Sequence, residues 1–301
     1  MNIKNVILLW LLGGMVLAGV TACSGSDDEP GKPDDGVKVR RITITETEDA
    51  VARQMLTRAS LAEGDGLNAS WTAGDGLTYC NLSRTNPMNY DIYSGGLTAA
   101  STATTSQFTG DVYCLANDYL AVVYPATTFE YNDRYTISLT GQDGTLGTLA
   151  TNYHYVFGKA TVTSVTETTA NATMEKMKSL LTVCKFSFKD KSTNAVIPIQ
   201  TLSISYGGTG SDAGTYPQSA TVAIGANTEQ TDVHATGVAS NSPLLLEGSG
   251  EAFYVALLPT AAQRTFNFTV TNASGTYSGT AKATLVEGEY VVATGLKLTK
   301  Q

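Results

Sequence analysis

Side chains able to do acid–base, covalent or metal chemistry are few in this chain and poorly grouped. The two histidines, His154 and His234, are isolated and offer neither a paired base nor a ligand set. Each reads as a surface or strand histidine. No Gly-x-Ser-x-Gly elbow occurs. Gly208-Thr209-Gly210-Ser211-Asp212-Ala213-Gly214 has the wrong glycine spacing for a dinucleotide loop and no predicted helix behind it, so it reads as a hairpin or long turn. Gly64-Asp65-Gly66-Leu67 and Gly74-Asp75-Gly76-Leu77 repeat at a spacing of ten. Calcium would need a cluster of oxygen ligands, whereas Asp-Gly is already a good turn, and both read as turns feeding strands. A carboxylate pair for glycoside cleavage has no positive sign. These residues predict no enzyme activity, no cofactor and no metal site.

Four cysteines remain to be placed. Cys80, Cys114 and Cys184 form no CxxC pair, and three is an odd number for a disulfide framework. Cys184 shares a face with Phe186 and Phe188 in a strand-like run and reads as a small core residue. A Cys80–Cys114 bridge is chemically permitted outside the cytoplasm and stays open. Cys23 differs from these. Lys4 precedes an apolar run over residues 6–20, which ends in Val20-Thr21-Ala22-Cys23. A positive start, an apolar stretch and small residues before a cleavage point read as a secretory signal. Val-Thr-Ala-Cys also resembles a bacterial lipobox, in which Cys23 becomes the lipidated first residue. Several acyl chains, palmitate included, anchor stably at about 0.8 kcal/mol per buried CH₂. The polar, acidic and proline-bearing stretch from Ser24 to Asp35 cannot bury a core and reads as a flexible tether.

The 301 residues suffice for two domains. A formal net charge of −8 argues against a nucleic-acid partner held on a basic face. With 44 threonines, 29 glycines and 15 tyrosines, the composition favours pleated surfaces and turns. Alternation with period 2 dominates. Tyr135, Ile137 and Leu139 alternate with polar residues, as do Leu202, Ile204 and Tyr206, and Phe266, Phe268 and Val270. Tyr290, Val292, Leu296 and Leu298 share one parity near the C-terminus. Residues 119–124 and 253–258 are apolar on both faces and predict central strands. Helical spacing is confined to residues 49–56 and 174–181, two turns each. An internal echo supports duplication: residues 120–125 and 254–259 each end a doubly apolar run at a proline, and an alternating strand follows both. The expectation is an all-β chain of two β-sandwiches divided near residue 176.

The segment behind the tether is unusual. Val37-Lys38-Val39 and Ile42-Thr43-Ile44-Thr45 predict a strand, and mixed polar residues lead on to Met55-Leu56-Thr57-Arg58-Ala59-Ser60. A strand joined flexibly to a sheet can pair with it and also leave, exposing a groove. The lipobox, acidic tether, Ile42-Thr43-Ile44, Thr57-Arg58-Ala59-Ser60 and Leu67-Asn68-Ala69-Ser70-Trp71-Thr72-Ala73-Gly74-Asp75-Gly76-Leu77 together resemble the fimbrillin family of Bacteroidetes. The resemblance continues through residues 118–125, 177–188 and 252–259 to the closing Gly288-Glu289-Tyr290 and final strand.

That resemblance implies a pilin precursor with two tandem Greek-key, transthyretin-like β-sandwich domains. Residues 1–22 would be the lipoprotein signal peptide, 23–36 the acidic tether and 37–58 a propeptide with a removable N-terminal strand. Residues 59–176 and 177–301 would form the two sandwiches. It implies an outer-membrane, surface-exposed lipoprotein lipidated at Cys23. An Arg-specific protease would cleave between Arg58 and Ala59, with Arg53 a weaker competing site. Other pilin subunits, like or unlike, would be its partners in a fimbrium supporting adhesion. The candidate donor strand carries Tyr290, Val292, Leu296 and Leu298, and an ordinary strand of the second domain is the alternative for it. The runner-up function is a surface-anchored β-sandwich lipoprotein that binds glycan or protein ligands without polymerising.

Overall fold

The computed structural model describes residues 37–46, 60–63, 67–84, 93–130, 134–225 and 227–301. In chain order, the first half supplies β1 (Lys38–Glu46), β2 (Ser60–Glu63), β3 (Leu67–Ser70), β4 (Gly76–Asn81) and β5 (Ser94–Ala99). It continues with β6 (Gln107–Cys114), β7 (Tyr119–Tyr124), β8 (Arg134–Ser138), β9 (Val156–Val165) and β10 (Thr169–Met174). The second half supplies β11 (Lys178–Ser179), β12 (Thr182–Asp190), β13 (Ile199–Tyr206), β14 (Ser219–Ala223) and β15 (Ala235–Gly237). It ends with β16 (Leu244–Gly250), β17 (Ala252–Leu257), β18 (Arg264–Asn272), β19 (Gly275–Ala283) and β20 (Tyr290–Lys300). The chain is all-β, as its threonine-rich alternation predicts. The helical elements of the described residues include short turns at Leu146–Thr148, Leu149–Tyr153 and Gln230–Asp232.

Two large sheets carry the fold. The first runs β10-β1-β6-β5-β4-β7-β9-β11, and β9 pairs back onto β10, so seven of its strands close a ring. One face of these strands converges on Trp71, which meets Phe108 edge-on at 4.9 Å and Tyr124 at 5.5 Å. The second sheet runs β16-β13-β18-β19-β20-β12-β17. Its core is continuous with the opposite face of the first sheet: Cys80, Ala121, Val123 and Phe157 belong to the same cluster as Leu181, Phe188 and Leu257. A small third sheet, β15-β14-β8, joins residues from both sides of position 176, with Ile137 opposite Ala220.

Several expectations hold in detail. β7 lies between β4 and β9, and residues 120–124 are buried on both faces. The alternating runs in β8, β13 and β18 each bury the apolar parity. Gly74, at φ +95°, turns the chain into β4, with the Thr72 amide donating to Asp75 Oδ2 at 2.6 Å. Residues 208–214 form a connection between β13 and β14 with Gly208 and Gly214 at positive φ.

Others need correction. Residues 174–181 are not helical. Met174 and Met177 pack in one core while Leu180 and Leu181 pack in the other, so the chain crosses between cores and β11 pairs with β9. Among the described residues, β17 is not flanked by strands on both sides; it pairs with β12 alone. The sequence echo is not matched in topology, because β8 sits in the three-stranded sheet and β18 in the seven-stranded one. His154 is neither at the surface nor in a strand but fully buried behind the turn at Leu149–Tyr153. The helix predicted over residues 49–56 and the Gly64-Asp65-Gly66 turn lie outside the described residues.

Candidate functional site: the slot occupied by β1

β1 is read correctly from its β-branched alternation. It lies between β6 and β10, antiparallel to the first and parallel to the second. Ile42 and Ile44 point into the core and are completely buried. Burying each stabilises the strand by about 1.5–3 kcal/mol. Small neighbours make room for them: Ile42 stands opposite Gly110 on β6 and Ala170 on β10, and Ile44 opposite Ala172 on β10. Lys38 and Arg41, on the solvent side, reach Glu167 and Asp111. Such exposed pairs contribute little.

Three charged residues share the parity of the isoleucines; Lys38, at the strand's start, is exposed, and the other two are buried, which sequence reasoning passed over. Arg40 is 6% exposed and Glu46 is 5% exposed. Arg40 Nε donates to the Thr166 carbonyl at 2.7 Å, and Nη1 donates to the Cys114 carbonyl and, at 3.3 Å, to that of Lys38. Glu46 accepts from the Met177 amide at 3.2 Å and from Trp71 Nε1 at 3.4 Å. The signal available in the sequence was position: both fall in phase with Ile42 and Ile44. The nearby Cys114 thiol is pushed up to about 11 by burial, with Arg40 pulling it the other way.

Cys23, Arg58 and Ala59 lie outside the described residues. Tyr290, Val292, Leu296 and Leu298 all fall in β20, which pairs parallel to β12 and touches β19 in register only at Tyr277 and Ser278. They do not share one face. The ladder slips between Phe186 and Phe188, where Gly295 adopts φ +69° and its amide donates to Ser187 Oγ at 2.9 Å. This bulge shifts parity by one residue. Val291 and Ala293 therefore join Leu296 and Leu298 against the core, while Val292 is 57% exposed.

β20 is tied to the hairpin β2–β3 by a polar clamp. Glu63 accepts from Lys185 Nζ at 2.8 and 2.7 Å and from the Tyr290 hydroxyl. The Lys185 hydrogen bond, then those from Tyr290 and Tyr254, hold the Glu63 carboxyl at about 2. Elsewhere, Cys80, Cys114 and Cys184 are buried, no disulfide joins Cys80 to Cys114, and Cys184 packs in the core as its parity predicts. No described helix is long and apolar enough to cross a membrane. No group of three metal-ligating side chains occurs among the described residues.

No family model matches the chain, and no curated protein matches it. Solved structures that align with it include the shaft pilin SpaA from Lactobacillus rhamnosus GG, at 12% identity over 88% of this chain and 98% of that one, with a TM-score of 0.34. The streptococcal ancillary pilin aligns at 13% identity over 87% of this chain and 69% of its own, with a TM-score of 0.31. The group B streptococcus pilus 2b backbone protein aligns at 11% identity, over 86% and 91%, with a TM-score of 0.23.

Proposed function

We propose that this chain is the precursor of a structural subunit of a cell-surface pilus. It is lipidated at Cys23, activated by an Arg-specific protease between Arg58 and Ala59, and assembled by strand exchange between subunits. The supporting observation is the position of β1: a core strand, paired along both edges, whose chain connection to the rest of the fold runs through residues 47–59. Cutting that connection turns an intramolecular contact into a bimolecular one, and the loss of effective concentration favours departure. The vacated slot offers two unpaired backbone edges and two apolar sockets, the features by which an extended strand is captured. The C-terminal strand with Tyr290, Val292, Leu296 and Leu298 is the candidate donor, and other pilin subunits, like or unlike, are the partners.

The test is an Arg58→Ala chain in the native cell. Lipidated precursor of full mass should accumulate at the outer membrane and electron microscopy should show no fibres. Normal fibres from that chain would reject the cleavage site. A wild-type surface form that keeps its lipidated N-terminus and never polymerises would instead favour a monomeric ligand-binding lipoprotein.

A further inference from the structure

We infer that the β1 slot selects its occupant by charge as well as by shape. Its partner is an extended segment, supplied by a chain of different sequence, that carries a basic residue, two apolar residues and a carboxylate at alternate positions. The inference rests on the strand-exchange reading above. When β1 leaves, the Thr166 and Cys114 carbonyls remain at one end of the slot and the Met177 amide and Trp71 Nε1 at the other. One end therefore asks for a donor and the other for an acceptor, with the sockets of Ile42 and Ile44 between them. The Cys114 carbonyl, the Met177 amide and Trp71 Nε1 make their bonds in a buried setting, where a mismatched side chain leaves them without a partner, while the Thr166 carbonyl is only partly buried. The order is fixed because an occupant reproducing both ladders must run parallel to β10 and antiparallel to β6.

The pattern is specific. Arg40, Ile42, Ile44 and Glu46 satisfy it, and no other Lys or Arg in the 301 residues is followed at two, four and six positions by two apolar residues and an Asp or Glu. The β20 sequence Tyr290–Lys300 contains no acidic residue at all, so the C-terminal strand of a second copy satisfies the apolar sockets without the acidic end. That is why a chain of different sequence is the better fit.

The experiment uses the full chain with a single engineered protease site after position 58. After cutting, labelled synthetic peptides are offered in excess: residues 37–46, the same peptide with Arg40→Met, Arg40→Lys or Glu46→Leu, and residues 290–301. Peptide 37–46 should bind, each neutral-ended peptide should bind at least about tenfold more weakly, Arg40→Lys should recover most of the loss, and peptide 290–301 should bind more weakly than 37–46. Equal binding of the neutral-ended peptides would overturn the charge selection, and tighter binding of peptide 290–301 would overturn the choice of a different chain. If β1 stays on the cut protein and no peptide enters, strand exchange itself fails. Hydrogen exchange on the uncut Arg40→Met chain then decides the charge selection separately: faster exchange of the β1 amides supports it, and unchanged protection rejects it.

Discussion

Gly110 faces Ile42 across the first ladder, and its missing side chain is part of the socket. A Cβ there would stand 2.5 Å from the Gly96 carbonyl oxygen and 2.8 Å from Leu97 Cδ2. Backbone cannot give way cheaply, so Gly110→Ala should destabilise the fold by about 1–3 kcal/mol, read as a lower urea midpoint at unchanged slope. Ile42→Ala acts by the opposite route, leaving a void beside Gly110 and Ala170. It should cost about 2–5 kcal/mol and, in the cut protein, hasten loss of β1. Gln142 carries a comparable weight in the second half. Its side chain donates to the Ala256 carbonyl at 3.1 Å and accepts from the Ala256 amide at 2.7 Å, standing in for a neighbouring strand along β17. The Tyr254 amide donates to the Gly144 carbonyl just beyond it. Gln142→Leu should therefore leave buried backbone groups unpaired and lower stability by about 1–3 kcal/mol.

β20 and the hairpin β2–β3 depend on each other through Glu63, and acid should separate them. The folded carboxyl sits at about 2 against an ordinary 4.5, so its contribution is complete above 4.5 and is lost as pH falls towards 2. Hydrogen exchange should show β2 and the start of β20 loosening between those limits. A Glu63→Gln chain should lose that pH dependence. Much of the element list was legible from period 2: β1, β8, β13 and β18 bury the residues that their alternation selects, and β7 was legible as a run apolar on both faces. Alternation fails where the backbone slips, as at Gly295 in β20, because a bulge leaves no mark on composition. It also fails where one stretch serves two cores, as at residues 174–181, whose spacing imitates a helix. The slot's apolar sockets were visible as Ile42 and Ile44. Its polar ends were not, since a charged residue in a strand reads as solvent-facing until its carbonyl or amide partners are known.

The two large sheets share one apolar cluster that runs from the outer face of the first to the interior of the second. Cooperative melting follows from a shared core, so calorimetry on residues 23–301 should give a single endotherm with equal calorimetric and van't Hoff enthalpies. Two resolved endotherms would show that the halves are energetically independent. The slot's mixed neighbours, one strand alongside in the same sense and one opposed, carry a consequence for anything built from it. Every junction made there points the same way along the stack. Under the proposed strand exchange, the last subunit at one tip would keep a vacant groove while the last at the other would keep an unspent arm, so such a filament would have a chemical head and tail, and only molecules fitted to each would stop or start its growth.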